Sequence, residues 1–456
     1  MITKIKIDGF KSFQNFEMEF TPFTIIAGLN ASGKSNLFDA LELLSRLAQY
    51  TLRDAFSLNR GSVNEMFSLV GDTAMDSMTF EVEMLVERTN KDNWGITKEI
   101  NNPRLRYELH IKRIKNARGY EELIVTYESL GKIRSSDDKW TKSYIPKDFS
   151  SLWKSTQSGG SSKPFIQTET KNNVQTIVLR QDSGQGGKNT PVNTINQTVL
   201  SSVNDNNFPH VFAAKMEMMN WKFMQLNPEE LRKPTEKNAI MSDVIAHDGA
   251  NLAAALDRLK QDDEYNLTEI SRELSRFLPD VAAVDVEFDQ ARELLSVILI
   301  NKNGEKFTSR VLSEGTLRLL ALTIIMHDNR HKGLLCFEEP ENGIHPARIK
   351  QMAELLYDLS AIYDSEDTSL RQVVVNTHSP ILIKELNNYQ ETKAISIWLS
   401  KMSTSVFHEN KKKMRVTQMS RVLNSNQTSL NYSPEERRTS ADLQAYLSST
   451  TTENGE

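Results

Sequence analysis

Cysteine and long apolar runs are nearly absent from this sequence, and each absence excludes a class of protein. The 456 residues contain one cysteine, Cys336, which lies inside a short apolar run. A single cysteine forms neither an intrachain disulfide nor a thiolate metal cluster, which favours a reducing compartment. No apolar run reaches the roughly 18 residues of a membrane-spanning helix, and residues 1–10 lack the continuous apolar core of a signal peptide. We therefore expect a cytoplasmic protein without a membrane partner.

Excess positive charge is lacking too. Lys and Arg number 55 against 60 Asp and Glu, which gives a net charge of −5 and a pI near 6.0. This balance is not the overall signature of a nucleic-acid-binding protein, although it leaves room for a local basic groove. One short basic run, residues 411–413 with Arg415, is more typical of a solvated surface than of a contact with a phosphate backbone.

The sequence does contain a succession of strand and helix patterns. Apolar and charged residues alternate in segments 2–7 and 16–20, which predicts an N-terminal β-hairpin. Segments 284–288 and 294–300 predict a second hairpin. From residue 311 onward, helical patterns alternate with short apolar runs, as in buried strands that are joined by helices. The fold class predicted from these patterns is α/β.

A glycine-bearing loop follows a short apolar strand at residues 23–27. Residues 28–35 read G-L-N-A-S-G-K-S and match the phosphate loop G-x-x-x-x-G-K-[ST]. The glycines let backbone N–H groups curl toward phosphate oxygens, the lysine supplies a cation, and the serine hydroxyl binds Mg²⁺. The amphipathic helix that follows adds its N-terminal dipole. The sequence therefore predicts an ATP and Mg²⁺ site, with the nucleotide-binding residues Gly28, Asn30, Gly33, Lys34, Ser35 and Asn36.

Another apolar strand ends in two carboxylates, within L-L-C-F-E-E-P at residues 334–340. This is the Walker B arrangement, in which the first carboxylate faces Mg²⁺ and the second polarises the attacking water. We assign Glu338 to the metal, together with Ser35, and Glu339 to the water as a catalytic residue. Two glutamates alone are more often a solvated strand end, and their combination with the phosphate loop favours the catalytic interpretation.

A segment that reads L-S-E-G-T-L-R, at residues 312–318, opens a helix just before the Walker B strand. Here the sequence resembles the ABC ATPase superfamily, whose signature reads L-S-G-G-Q. The resemblance implies that Ser313 and Gly315 contact the γ-phosphate bound by another protomer, and therefore a homodimer or higher homo-oligomer. An ordinary serine N-cap would use the same exposed N–H groups, so both interpretations stay open.

A histidine stands at the carboxyl end of a further apolar strand, in V-V-V-N-T-H-S-P at residues 373–380. The ABC family places a switch histidine there, which hydrogen-bonds the γ-phosphate, and this implies a catalytic role for His378. A lone histidine is more often structural, and the position after the Walker B strand is what favours function. His345 falls in the family's D-loop region, where protomers touch, and its functional and structural interpretations are equally supported.

The opening G-F-K-S-F at residues 9–13 resembles the start of the SMC, RecF and OLD branch of the superfamily. In that branch the basic residue reaches the nucleotide phosphates, a role that would fall to Lys11. The sequence departs from the family pattern in three respects. Glu338 replaces the usual aspartate, Glu314 and Thr316 replace glycine and glutamine in the signature, and no convincing Q-loop glutamine is found.

The resemblance covers about residues 1–85 and 280–400. It implies a P-loop ABC-type ATPase head of two lobes with an inserted α+β arm subdomain. The predicted divisions are an N-terminal ATPase lobe at 1–100, an arm at 101–280, a C-terminal ATPase lobe at 281–400 and a partly flexible extension at 401–456.

The sequence after His378 contains no D-x-D carboxylate pair of the kind that the TOPRIM domain of OLD nucleases carries. This predicts no nuclease centre in the chain. By resemblance to systems such as Septu, we expect the sensor ATPase of a bacterial anti-phage defence complex, whose hydrolysis gates a conformational switch and whose partner is a separate nuclease or other effector. The alternative is a RecF/SMC-like DNA-repair ATPase, for which DNA would be the partner. A transporter subunit is disfavoured, because its motifs normally lie closer together.

Overall fold

The computed structural model describes residues 1–147, 153, 163–171, 174–182, 187–192, 196–237, 243–360, 370–389, 395–406, 412–423, 437–439, 443, 445 and 448. They form two compact units. The first unit contains the described residues of 1–221, Leu370 and those of 395–443. The second contains those of 222–360 and 371–389, with residues 445 and 448.

The first unit contains one eight-stranded sheet, a group of four strands that includes β3, and two short strand pairs. Its strands are β1 Ile2–Asp8, β2 Phe16–Glu19, β3 Phe23–Ala27, β4 Leu69–Val70, β5 Thr73–Ala74, β6 Ser77–Leu85, β7 Thr89–Lys91, β8 Thr97–Glu99, β9 Arg104–Lys115, β10 Glu121–Lys132, β11 Ile166–Lys171, β12 Val174–Leu179, β13 Lys188–Pro191, and, after the strands of the second unit, β21 Ile395–Val406, β22 Lys413–Leu423 and β23 Arg437–Thr439. The larger sheet is antiparallel, in the order β13-β12-β11-β10-β9-β6-β1-β2. The predicted N-terminal hairpin is confirmed by the pairing of β1 with β2.

The segment after residue 100 extends this sheet. β9 pairs with β6 along its length, and β10 pairs with β9. The ladder groups of β6 are thereby taken up by β9, as an otherwise unpaired edge requires. Of the segment 101–280 that the sequence predicts as an arm subdomain, the described part before residue 222 belongs to the first unit and the rest to the second. The compact units therefore have other limits than the predicted domains.

The group of four strands in the first unit consists of β3, β21, β22 and β23. All five residues of β3 are buried, as expected for an apolar strand with both faces covered. β21 pairs with β3 in parallel, β22 with β21 in antiparallel, and β23 with β22 in parallel. Part of the predicted C-terminal extension is therefore sheet that lies beside β3, while much of 401–456 lies outside the described residues.

The helices of the first unit cover these sheets. They are α1 Lys34–Leu47, α2 Leu52–Ser57, α3 Val63–Met66, α4 Lys139–Tyr144 and α5 Pro209–Met219. In α1 the predicted apolar face is buried, since Leu37, Leu41 and Leu44 have no exposed surface. This burial fixes the orientation of the helix that follows the glycine-bearing loop.

One buried carboxylate joins the large sheet of the first unit to a distant segment. Glu128 of β10 accepts the backbone N–H groups of Val199 at 2.7 Å and Leu200 at 2.8 Å, and the Tyr107 hydroxyl at 3.1 Å. Burial nevertheless raises the pKa of Glu128 to about 7, because desolvation of the charged form outweighs these hydrogen bonds.

The second unit contains a parallel strand group and an antiparallel one. Its strands are β14 Lys222–Met224, β15 Thr235–Glu236, β16 Val281–Asp289, β17 Leu294–Asn301, β18 Lys306–Thr308, β19 Gly333–Glu338 and β20 Arg371–Thr377. β14, β19 and β20 are parallel neighbours. β16 and β17 form the second predicted hairpin, which is confirmed.

From residue 311 onward, helices and strands alternate in the order that the sequence predicts. The helices of the second unit are α6 Pro228–Arg232, α7 Leu252–Asp262, α8 Tyr265–Phe277, α9 Glu314–His327, α10 Ile349–Asp358 and α11 Pro380–Asn387. The fold is thus mixed α/β, as predicted. Among the helices that the structure describes, none combines the length and the apolar character needed to cross a membrane.

Replacing Glu128 with glutamine should change how stability depends on pH. The folded-state pKa of about 7 lies above the ordinary value of 4.5, so the stability contributed by this group is fully present below the lower value and is lost as pH rises through the higher one. From about pH 4.5 to pH 8 we expect the unfolding free energy of the wild type, relative to that of Glu128→Gln, to fall by up to about 3 kcal/mol. Thermal unfolding across this range measures it, with Glu122→Gln, an exposed carboxylate of the same strand, as the control. Parallel curves for wild type and Glu128→Gln would contradict the expectation.

Candidate functional site

The glycine-bearing loop joins β3 to α1 in the first unit. Ala31 and Gly33 have φ angles of 61° and 94°, in the left-handed region that costs a residue with a Cβ atom about 1–2 kcal/mol. The buried Lys34 ammonium donates to the carbonyl oxygens of Gly28 at 2.7 Å and Leu29 at 2.9 Å. The lysine therefore folds back across the loop and places a positive charge beside its backbone.

The N-terminus of α1 has the chemistry of an anion site. The helix begins at Lys34 with neither a side-chain cap nor an acidic residue in its first turn. The first N–H groups of a helix lack intrahelical partners, and with the helix dipole they attract negative charge. α4, by contrast, is capped by the Asp138 carboxylate. Ser35 adds a hydroxyl in the first turn of α1. The loop and the helix end together fit a polyphosphate.

Two hydroxyl residues of the C-terminal strands hold the loop in place. Ser400 of β21 donates its hydroxyl to the carbonyl oxygen of Ser32 at 2.9 Å. Thr417 of β22 lies against Gly33, where an added Cβ would come within 1.8 Å of the threonine hydroxyl oxygen. These contacts join residues nearly 400 positions apart. Sequence reasoning missed both residues, because a serine or threonine in a strand has no distinguishing local signal.

Thr417 also contacts the N-terminal segment, which in turn contacts the predicted nucleotide ligand Asn36. The Ser12 and Thr417 hydroxyl oxygens are 2.6 Å apart, and the Asn36 side-chain amide donates to Ser12 at 2.7 Å. Asn36 thereby has a structural partner, while Asn30 is exposed on the loop. The nucleotide-binding roles of Asn30 and Asn36 stay predictions.

The Lys11 ammonium group is engaged in an ion pair. Its ammonium group lies 2.6 Å from the Asp39 carboxylate of α1, and Arg60 contacts the same carboxylate at 3.0 Å. The Lys11 and Asp39 side chains are 13% and 12% exposed, so this ion pair is largely withdrawn from water. In the structure, the cation predicted to reach the nucleotide is thus paired with a carboxylate that the sequence reasoning did not single out, and its role toward phosphate stays a prediction.

In the second unit, the two predicted carboxylates follow one another at the carboxyl end of β19. Glu338 is the last residue of the strand and lies opposite Asn376 of β20, whose side-chain amide is 3.5 Å from the Glu338 carboxylate. Glu339 has a φ angle of 46°, which is uncommon for a residue other than glycine. Its backbone N–H donates to the Asn376 carbonyl oxygen at 2.8 Å. The left-handed turn separates the directions of the two carboxylates.

The two residues predicted as catalytic meet at this edge. His378 Nδ1 lies 2.9 Å from Glu339 Oε1, and the Asn342 amide donates to Glu339 Oε2 at 2.7 Å. The His378 and Glu339 side chains are 41% and 30% exposed. The carboxylate is therefore oriented by two partners and still accessible, an arrangement suited to polarising a water molecule.

The signature segment begins a helix in the manner of an ordinary cap. The Ser313 hydroxyl accepts the N–H of Thr316 at 3.2 Å at the start of α9. Gly315 is the second helical residue. The Glu314 carboxylate lies over Gly343, where an added Cβ would come within 2.5 Å of Oε2. The N-cap interpretation is confirmed, and the role of Ser313 and Gly315 toward a partner's nucleotide stays a prediction.

The structure also places two other features of the sequence, His345 and the basic run at residues 411–413 with Arg415. His345 Nδ1 accepts the N–H of Ala347 at 3.2 Å and so caps a short 3₁₀ helix. Of the basic run, Lys411 lies outside the described residues. Lys412, Lys413 and Arg415 are exposed, and no carboxylate of the described chain forms an ion pair with them.

No group of three or more His, Cys, Asp or Glu side chains is arranged for a metal within the described ranges. Mg²⁺ usually keeps several waters and takes one or two protein oxygens together with substrate phosphates. The Ser35 hydroxyl and the Glu338 carboxylate are oxygen donors of this kind. Each group by itself is thus a suitable oxygen ligand for Mg²⁺, and the assignment of Ser35 and Glu338 as metal ligands stays a prediction.

Replacing Gly33 with alanine should weaken nucleotide binding. The new methyl group would collide with Thr417 and would occupy a backbone conformation that alanine disfavours. We expect ATP affinity to fall at least about tenfold in calorimetric titration. Gly119→Ala is the matched control, because Gly119 also has a positive φ of 78° but no atom within 4 Å of an added Cβ. Normal ATP binding by a folded Gly33→Ala protein would disprove the assigned role of the loop.

Comparison with known proteins places this geometry in a family. A family model described as "AAA domain" matches residues 4–282, and one described as "AAA domain, putative AbiEii toxin, Type IV TA system" matches residues 228–384. No curated protein matches the sequence significantly.

Solved structures of SMC heads are similar at low identity. The SmcHead bound to the C-winged helix domain of ScpA is 14% identical, with a TM-score of 0.49 over 91% of this chain and 98% of that one. The SMC head domain from Thermotoga maritima is 11% identical, with a TM-score of 0.39 over 91% and 98%. The Pyrococcus furiosus head with an extended coiled coil, bound to the C-terminal domain of ScpA, is 13% identical, with a TM-score of 0.45 over 91% and 96%. Because the first family model covers more than half of the sequence, this chain belongs to the AAA-domain family of ATPases.

Proposed function

We propose that this chain is an ABC-type ATPase that binds Mg–ATP and hydrolyses it to switch a conformation of a homodimer or higher homo-oligomer. The observation that carries the proposal is the contact between Glu339 and His378 at the end of the parallel strands. A carboxylate held by a histidine and an amide, yet accessible, is what the activation of a water molecule needs.

Each predicted residue has a definite part in this reaction. The N–H groups of the phosphate loop and the Lys34 ammonium would bind the β- and γ-phosphates, and Ser35 and Glu338 would hold Mg²⁺, which would neutralise charge on the phosphates. Glu339 orients the attacking water and takes its proton. His378 donates from Nδ1 to Glu339, so Nε2 is the ring nitrogen left to meet a γ-phosphate.

The switch depends on a second protomer. By the family resemblance, the start of α9 offers its N–H groups, with Ser313 and Gly315, to the γ-phosphate that another copy binds. ATP would then join two protomers, and hydrolysis would separate them. Glu314 brings a negative charge to this helix start, and we propose that it slows hydrolysis relative to a glycine at this position.

For the biological role, we propose the sensor ATPase of a bacterial anti-phage defence complex that acts with a separate nuclease or toxic effector. The descriptions of the two matching family models, "AAA domain" and "AAA domain, putative AbiEii toxin, Type IV TA system", are as consistent with the RecF/SMC-like alternative as with this role. Co-expression with the neighbouring gene and purification of the ATP-bound form distinguishes the two. A stoichiometric protein partner supports the defence role, whereas duplex DNA binding with a steep salt dependence and no partner supports the RecF/SMC-like alternative.

Glu339→Gln should separate ATP binding from hydrolysis. The amide keeps the shape of the side chain but cannot accept a proton, so we expect the turnover rate to fall about 10²- to 10⁴-fold while ATP affinity changes little. The variant should accumulate as an ATP-bound dimer in light scattering. Glu229→Gln, which alters an exposed carboxylate of the same unit, is the control for the loss of one charge. Hydrolysis at the wild-type rate by Glu339→Gln would remove Glu339 from the mechanism.

Ser313→Asp tests the contact with the partner protomer. Aspartate is as good an N-cap as serine, so α9 keeps its cap, but a negative charge now stands where the partner's γ-phosphate is expected. We expect ATP binding by the monomer to be normal, and dimerisation and hydrolysis to fall at least about tenfold. Ser313→Asn is the matched control, since asparagine caps the helix without a charge. Equal activity of the two variants would contradict a nucleotide contact at this helix start.

A further inference from the structure

Three consecutive residues at the end of β20 bond to the loop that follows β19. The Asn376 carbonyl oxygen accepts the Glu339 N–H at 2.8 Å. The Thr377 hydroxyl donates to Glu341 Oε1. His378 Nδ1 meets Glu339 Oε1 at 2.9 Å. The contact between the two catalytic residues is thus the last of three successive links, and the link next to it joins two residues to which the mechanism gives no part.

Thr377 controls the turn that carries His378. Its hydroxyl oxygen accepts the N–H of Ser379 at 2.9 Å while its proton goes to Glu341. Thr377 is fully buried. Local hydrogen bonds of this kind between a threonine side chain and the backbone fix a short turn. The backbone on both sides of His378 is therefore tied to a single hydroxyl group.

Burial of the Glu341 carboxylate costs free energy, which suggests that this side chain has a functional role. It is 7% exposed, and its Oε2 has no hydrogen-bond partner among the described residues. Burial raises its pKa, against the hydrogen bond from Thr377, its own backbone N–H and the charge of His378, while Glu339 acts in the same direction as burial. Arg318 of α9 also interacts with Glu341 through their opposite charges. What this carboxylate supplies is a strong acceptor for the Thr377 hydroxyl.

We propose that Thr377 and Glu341 are positioning residues, which set the orientation of His378 against Glu339 through the hydroxyl–carboxylate bond. The proposal rests on the proposed function of Glu339 and His378. Neither positioning residue belongs to the phosphate loop, so their loss should slow the chemical step and leave ATP affinity nearly unchanged. A residue of purely structural importance would instead lower stability without this selectivity.

Steady-state ATP hydrolysis by substituted proteins tests the kinetic part. Thr377→Val removes the hydroxyl at nearly constant volume, and we expect kcat to fall at least about tenfold while KM stays within about twofold. Thr377→Ser keeps the hydroxyl and should retain most of the wild-type kcat. Glu341→Ala should behave like Thr377→Val, and Glu341→Gln, whose side-chain oxygen still accepts a hydrogen bond, should retain more activity than Glu341→Ala.

Thr323→Val is the matched control. Thr323 is a fully buried threonine of the same unit, and its hydroxyl donates to the Leu319 carbonyl oxygen at 2.8 Å within α9. The Thr323→Val substitution therefore removes a buried hydroxyl group that does not belong to the end of β20. We expect it to lower the thermal midpoint as much as Thr377→Val does, but to leave kcat within about twofold of the wild type.

A second readout does not require hydrolysis. In protein labelled with ¹³C-histidine and free of nucleotide, the Cε1–H resonance of His378 is assigned by its loss in His378→Gln. We expect this resonance to shift or broaden in Thr377→Val and to stay in place in Thr323→Val.

The two readouts separate failure of the positioning idea from failure of the proposed function. If Thr377→Val is folded, hydrolyses ATP at the wild-type rate and leaves the His378 resonance in place, the positioning role is disproved. If the wild type itself does not hydrolyse ATP but the resonance moves in Thr377→Val, the proposed function fails and the positioning of the histidine stands.

Discussion

The pairing of β19 with β20 determines where Glu339 and His378 lie. The two strands are parallel, with Glu338 opposite Asn376. Because both strands run in the same direction, the residues that follow them emerge at the same edge, and Glu339 and His378 become neighbours. Side chains alternate between the faces of a strand, so a shift of one residue in this register would turn one member of the pair away. The candidate chemistry therefore depends on the apolar residues that bury the two strands.

Among the described residues other than glycine, six have positive φ angles, and three of these lie in segments that are candidates for ATP chemistry. Lys11, Ala31 and Glu339 all have positive φ angles, although residues with a Cβ atom rarely adopt them. Each lies directly in or beside a segment singled out for ATP chemistry. Strain of this kind persists only where surrounding contacts outweigh it. At Glu339 these contacts are hydrogen bonds. Its N–H donates to the Asn376 carbonyl oxygen, and its two carboxylate oxygens bond to Asn342 and His378.

The two motif-bearing units differ in how their charges are balanced. In the first unit, the Lys11 ammonium forms an ion pair with Asp39. The loop at residues 28–35 contributes backbone N–H groups and Lys34, and the first turn of α1 contains no acidic residue. In the second unit, carboxylates gather at one edge and are held by an amide, a hydroxyl and a histidine. The candidate site residues of the first unit are thus hydrogen-bond donors and a cation, and those of the second are carboxylates and a histidine.

The sequence by itself determined the elements whose chemistry is local. The spacing of residues 28–35 specifies the phosphate loop, because glycine, lysine and serine act there through backbone geometry and a few neighbouring atoms. Alternation and apolar runs gave the two hairpins and the order of helices and strands after residue 311. Only the tertiary structure decided that Ser400 and Thr417 support the loop, that Asp39 binds Lys11, and that the predicted arm begins as the continuation of an N-terminal sheet. These contacts join residues far apart in the chain or surfaces of whole strands, and no pattern within one segment encodes which distant hydroxyl, carboxylate or strand edge will meet it.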